Sequence, residues 1–207
     1  MLNVVLVEPE IPANTGNIGR TCVLTGSRLH LVAPGFDLSE RALRRAGLAY
    51  WQSLDVRVYE DWQAFLLANH DAWAALGGPL SPGGEGGEPA PAMHLLTKRG
   101  ARRHSDSNYR DGDYLVFGRE STGLDQGLIS SHPNLCERIP MVCDTALANA
   151  GEWHASHLGL HPELKRDVCG NFVDERSMQV TSLNLSNAVA IVLFEALRQQ
   201  GYPGLDG

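Results

Sequence analysis

No stretch of this chain approaches the roughly 18 consecutive apolar residues of a membrane-spanning helix. Its start, MLNVVLVEPE, has neither a basic region nor a cleavage site. That start reads as a buried strand, and a cytoplasmic protein is expected. Thiol chemistry is equally thin. The four cysteines, Cys22, Cys136, Cys143 and Cys169, show no C-x-x-C spacing, so reduced core or surface thiols are expected rather than a disulfide framework. G-x-G-x-x-G, a phosphate loop ending in Gly-Lys-Ser/Thr and a nucleophile elbow are all missing, which leaves a dinucleotide, a nucleoside triphosphate or a serine nucleophile poorly supported. Acidic residues outnumber basic ones 24 to 17. The summed field of such a surface repels phosphates and argues against non-specific affinity for nucleic acid.

What is present is regular. A length of 207 residues fits a single domain, 1–207, with surface insertions. Residues 2–7 form a nearly continuous apolar run, as in a strand buried on both faces. A short helix is predicted over 17–25, stopping at Gly26, with a second strand over 29–32. Ser39 caps a helix that carries Arg41, Arg44 and Arg45 on one face and ends at Gly47. Residues 54–59 alternate as a third strand, Asp61 caps a helix over WQAFLLAN, and 72–76 reads as a short fourth strand. Fifth and sixth strands are predicted over 115–117 and 136–139, with a helix between them that ends at His132. Strands alternating with helices define the α/β class with a mostly parallel sheet flanked by helices. Residues 77–92, GGPLSPGGEGGEPAPA, cannot bury apolar surface and read as a flexible surface insertion.

Near the C-terminus a polar loop (Ser182, Asn184, Ser186, Asn187) leads into seven consecutive apolar residues, 188–194, and a helix stopped by Gly201. Val189, Val192, Leu193 and Leu197 form a stripe that can pack on a sheet. Ile191 and Phe194 then point away and need a second cover, most simply a partner subunit.

Ligands of open parallel sheets bind beyond the carboxyl ends of the strands. Three polar loops are placed to do so: 14–20, 118–124, and 139–141 continuing to 182–187. They offer one candidate cation, Arg20, and one candidate carboxylate, Glu120. Seven of the 17 basic residues fall in two segments, Arg41, Arg44, Arg45 and Lys98, Arg99, Arg102, Arg103, which can form a local phosphate track on an acidic body. His154, His157 and His161 stand at i, i+3, i+7. They could share a helical face and bind a metal, but no acidic or thiolate pair completes the set, so no metal is expected.

Four motifs in order, EPEIPANTGNIGR, LRRAGL, FGRESTGL, and IPM with a later SLNLSNAVAIVLFEALRQ, resemble the SPOUT superfamily of knotted methyltransferases. Within it they resemble the small tRNA 2′-O-methyltransferases acting on the wobble nucleotide, cytidine or modified uridine, of leucine tRNAs. The resemblance implies a deep C-terminal trefoil knot, a homodimer, and S-adenosylmethionine as cofactor. It places the cofactor against Leu95, Gly118, Ile139 and Ser182, with Leu183 and Asn184 nearby. Arg20 takes the catalytic position. A guanidinium is always protonated, so positioning a phosphate and stabilising a developing alkoxide suits it better than a base's role. The tRNA is expected on Arg41, Arg44, Arg45, Lys98, Arg99 and Arg102, with Glu120 on the substrate side.

The chain departs from that pattern at three places. Forty residues, 142–181, separate IPM from the SLNLSN loop, where relatives have only a few. Thr181 stands where an arginine commonly precedes the loop, and Phe194 where tyrosine is frequent. The inserted segment, about 143–181, is expected to bulge outward from an intact pocket. A non-catalytic knotted RNA-binding or ribosome-associated protein is the alternative this insertion leaves open.

Overall fold

The computed structural model describes residues 1–37, 49–78, 90–141 and 182–205. The strands are β1 (Asn3–Val7), β2 (Arg28–Val32), β3 (Val56–Tyr59), β4 (Met93–Leu96), β5 (Arg102–Arg103), β6 (Tyr114–Phe117) and β7 (Cys136–Arg138). They form one sheet in the order β3-β2-β1-β6-β4-β7-β5, and every ladder is parallel. Five helices accompany it among the described residues: α1 (Pro12–Thr25), α2 (Trp62–Ala68), α3 (His70–Ala75), α4 (Gln126–Ser131) and α5 (Leu185–Gln199). The α/β parallel architecture read from the alternation is therefore present.

Alternation along the buried strands sorts their side chains into two layers. Val4, Leu6, Leu29, Leu31, Leu115 and Phe117 face α1 and α5. Val5, Val32, Met93, Leu95, Tyr114 and Val116 face α2, α3 and α4. The α5 stripe behaves as its spacing predicts. Val189, Val192 and Leu193 are 0% exposed, whereas Ile191 and Phe194 remain 39% and 46% exposed.

Helix α5 is bounded by two side-chain and backbone devices. Asn184 caps its start by accepting from the Ser186 amide at 2.9 Å. Its end is a Schellman turn: Tyr202 N donates to Leu197 O at 2.9 Å and Gly201 N to Arg198 O at 3.1 Å, with Gly201 at φ 74°.

Three local expectations change. Residues 72–76 were expected as a strand but belong mainly to α3. AWAAL is rich in good helix formers, and a short apolar run fits either period. The strand that fills the sheet is instead β4, between the insertion and the basic segment. Helix α1 begins at Pro12, five residues before Asn17, where proline's fixed φ and missing N–H suit a first helical position. The strand expected over 54–59 is shorter, Val56–Tyr59, and a 3₁₀ turn over 49–53 leads into it.

Beneath the sheet's α5 side lies a buried polar cluster. His94 bonds Glu137 at 2.7 Å through Nδ1 and Asp113 at 3.2 Å through Nε2, and the Tyr109 hydroxyl donates to Glu137 at 2.7 Å. Burial opposes a charge on His94, but the two carboxylates outweigh it and hold its pKa up, at about 9. The Tyr109 amide in turn donates to Gln199 Oε1 at 3.0 Å, so the cluster also anchors the end of α5.

Candidate active site at the carboxyl ends of the strands

The sheet order sets the site. Strands β6, β4 and β7 are neighbours, so the peptides leaving Leu95–Leu96, Gly118 and Ile139 emerge side by side, with β1 next to β6. Gly118 is required by its own loop. A Cβ there would stand 2.1 Å from the carbonyl carbon of Gly123, because Arg119 and Gly123 exchange backbone hydrogen bonds of 3.1 and 2.9 Å. The loop is thereby folded back on the strand end.

Glu120 ties this loop to α1. One carboxylate oxygen accepts from the Glu10 amide at 2.8 Å; the other accepts from the Ile11 amide at 3.3 Å and the Asn14 side chain at 3.0 Å. Glu10 returns the contact, accepting from the Ser121 amide and hydroxyl, both at 3.0 Å. Arg119 pairs with Glu8 across the same gap. Asn14 then links α1 to the third loop, because Asn184 Nδ2 donates to Asn14 Oδ1 at 2.9 Å. Three loops distant in sequence form one hydrogen-bonded rim, with Asn14 buried at its centre.

Arg20 is exposed on α1. Its guanidinium lies 5.1 Å from the centre of the Tyr50 ring. Of the expected cofactor residues, Ile139 is half-buried, Ser182 and Leu183 are exposed, and Asn184 is half-buried at the cap of α5. Leu95 is 0% exposed, with its side chain in the opposite core layer, so its backbone is what it can offer a ligand. A cavity of about 270 Å³ opens at this end beside Glu8, Arg119, Thr122 and Leu124. The larger one, about 670 Å³ beside Met1, Leu24 and Leu197, lies at the amino ends, away from the polar loops.

Lys98, Arg99, Arg102 and Arg103 occupy the exposed turn and short strand after β4. Arg99 donates to Gln126 at 2.6 Å and Arg102 to the Asn134 carbonyl at 2.8 Å, and Arg138 reaches the Gly100 carbonyl at 2.6 Å. These contacts fix the segment along β7, with β5 as the edge strand of the sheet. Arg41, Arg44 and Arg45, the insertion over 143–181 and the three histidines within it lie outside the described residues, as does most of 77–92. Among the described residues no group of three or more His, Cys, Asp or Glu could hold a metal ion, and no helix is long and apolar enough to cross a membrane.

Sequence reasoning did not single out Tyr50 or Glu10. An aromatic pair, Tyr50-Trp51, one residue after LRRAGL was the available signal for the first. For the second the signal was an acidic residue beside the prolines that open α1.

The donor set fits S-adenosylmethionine. Half-buried Ile139 and exposed Leu183 supply apolar surface, adjacent strand-end peptides and Ser182 supply polar groups, and a cationic ligand meets no clustered cations among these residues.

A parallel α/β sheet with interlocked polar loops at its carboxyl ends places a candidate ligand site there, with exposed Arg20 on α1 and a basic segment at one edge of the sheet. Sequence comparison identifies the family. Residues 1–151 match the SpoU rRNA Methylase family model, and the chain belongs to the SpoU methylase family. It is 38% identical over 206 residues to the tRNA (cytidine(34)-2′-O)-methyltransferase of Escherichia coli (strain K12), covering 99% of this chain and 97% of that protein. A solved structure described as giving structural insights into 2-OH methylation of C/U34 on tRNA superposes with TM-score 0.65 at 32% identity, covering 97% of each chain. The SpoU methyltransferase AviRb from Streptomyces viridochromogenes in complex with AdoMet shares the fold, with TM-score 0.61 at 19% identity over 97% of this chain and 60% of that one.

Proposed function

We propose that this protein methylates the ribose 2′-oxygen of the wobble nucleotide of tRNA, cytidine or a modified uridine, in leucine tRNAs, with S-adenosylmethionine as donor. The observation that carries the reading is the rim that joins α1, the helix bearing exposed Arg20, to the Gly118 and Ser182 loops. Near-full-length identity to the cytidine(34) enzyme supports the substrate.

The residues that would hold the cofactor are Leu95, Gly118, Ile139, Ser182, Leu183 and Asn184. When bound, it supplies a sulfonium-activated methyl group. Arg20 orients the tRNA by a phosphate and stabilises negative charge on the 2′-oxygen, a task its planar fork suits. Lys98, Arg99 and Arg102, together with Arg41, Arg44 and Arg45, track the RNA backbone and position it without reacting. The chain acts as a single domain with a C-terminal trefoil knot. It works as a cytoplasmic homodimer, since Ile191 and Phe194 on α5 otherwise stay open to water.

The test is methyl transfer from labelled S-adenosylmethionine to leucine tRNA transcripts, with the product nucleoside identified by mass spectrometry. A 2′-O-methylated residue at the wobble position is expected. RNA binding without any methylated nucleoside would mark a non-catalytic RNA-binding protein.

A further inference from the structure

We infer that Tyr50 is a positioning residue that holds Arg20 in its working orientation, an inference that rests on the catalytic reading of Arg20. Residues Gly16, Gly19 and Arg20 stand at i, i+3, i+4 on α1 and so share one face. The 3₁₀ turn over 49–53 packs on that face. A Cβ at Gly19 would stand 3.2 Å from the Trp51 ring and 3.1 Å from Leu54. The glycine therefore makes room for the turn to lie close to the helix. Tyr50 holds on at both ends. Its hydroxyl donates to the Gly16 carbonyl at 2.5 Å, the same carbonyl that in a regular helix accepts the Arg20 amide. The Arg20 guanidinium lies 5.1 Å from the centre of its ring.

The chemistry of this arrangement is specific. An exposed arginine samples many rotamers, and few of them place both arms of the guanidinium on a phosphate and a ribose oxygen. An aromatic face attracts the cation, and one tyrosine leaves most of the guanidinium's five N–H donors open. Tyr50 can therefore restrict the side chain while leaving most of its donors for RNA, whereas a carboxylate partner would bind the planar fork through two of them. The hydroxyl bond to Gly16 fixes the ring to the backbone of the helix whose arginine it orients, so ring and guanidinium move together.

Tyr50→Leu removes the ring face. It should lower kcat by about tenfold, on the scale of a misplaced catalytic group, while KM for tRNA, cofactor affinity and melting temperature hardly move. Tyr50→Phe keeps the face and should retain kcat within about threefold. Tyr50→Met fills similar space without a π-system and serves if the leucine variant does not fold; it should behave like leucine. In an Arg20→Ala background Tyr50→Leu should cost nothing further, because the group it positions is gone.

Wild-type kcat in the leucine or methionine variant, with Arg20→Ala slow, would overturn the inference and leave the role of Arg20 intact. An additional loss in the double variant would also overturn it. Full activity of Arg20→Ala would instead remove the catalytic reading on which the inference rests.

Discussion

Asn14 and Asn184, 170 positions apart, meet through a 2.9 Å hydrogen bond in which Asn184 donates. The same two side chains have second duties. Asn14 donates to Glu120 at 3.0 Å, and Asn184 accepts from the Ser186 amide at 2.9 Å as the cap of α5. Helix α1, the Gly118 loop and the Ser182 loop are therefore joined through one pair of amides.

Asn184→Asp separates the two duties. Aspartate still caps a helix, but it has no donor for Asn14 and sets a carboxylate against the Asn14 oxygen. Cofactor affinity should fall about fivefold or more with only a modest change in melting temperature, the strained rim being worth about 1–3 kcal/mol. Asn184→Ala loses both contacts and should also lose about 1 kcal/mol of stability through the missing cap. Calorimetric titration with S-adenosylmethionine and thermal melts of both variants check this. Unchanged affinity in Asn184→Asp would show that the Asn14 link does not shape the cofactor loop.

Much of the frame was legible in the residues, and the reason differs from element to element. The α5 stripe could be read because a fully apolar run, a polar start and Gly201 admit one solution. By contrast, residues 72–76 were misread because a short Ala-rich segment fits both helical and strand periods. Strand β4 was hidden between a glycine-rich insertion and a basic segment. Of the candidate site, the three polar loops at the strand ends were legible. Their joints were not: a contact such as Glu120 to the Glu10 amide, or Tyr50 under Arg20, depends on which strands are neighbours, and no local pattern encodes that order. Leu95 illustrates the same limit, since strand polarity alone does not say which core layer its side chain enters.

The basic segment after β4 should act on RNA affinity alone. Arg102 is exposed on the edge strand β5 and held by the Asn134 carbonyl at 2.8 Å. Arg102→Ala is expected to weaken tRNA binding several-fold and reduce its salt dependence by about one counterion, with cofactor affinity unchanged. Arg44→Ala is expected to do the same. Filter binding across a salt series tests both, and an equal loss of cofactor binding would assign these residues to the fold instead.

The His94 cluster makes stability depend on pH. The partners that face the imidazole are Asp113 at 3.2 Å and Glu137 at 2.7 Å, with Tyr109 bonded to the latter at 2.7 Å. Held at about 9, the folded pKa of His94 exceeds the ordinary value of 6.5. The added stability is therefore complete below about pH 6.5 and is lost as pH rises through about 9. The melting temperature should fall across that window by at least about 2–4 °C, the shift given by about 1 kcal/mol in a chain of this size. His94→Gln should be less stable at pH 6 and should lack the slope. The same slope in that variant would assign it to other groups.

The last prediction concerns the outer face of α1 and α5. Ile191 and Phe194 remain 39% and 46% exposed while their neighbours on α5 are fully buried. On α1, which packs against α5, Leu24 is 72% exposed and lies one turn beyond Arg20 on the same face. Large apolar side chains left open on adjacent helices, with no strand covering them among the described residues, are what a second copy of the chain would bury. The wild-type protein should be a dimer by light scattering at micromolar concentration. Phe194→Glu places a charge where it would have to be desolvated and should give a monomer with an unchanged far-ultraviolet spectrum. Because Arg20 shares the Leu24 face, methyl transfer should fall with dimerisation, whereas a charge on the opposite layer, as in Leu67→Glu, should spare both. A monodisperse wild-type monomer, or a monomeric Phe194→Glu with full activity, would separate the active site from the dimer.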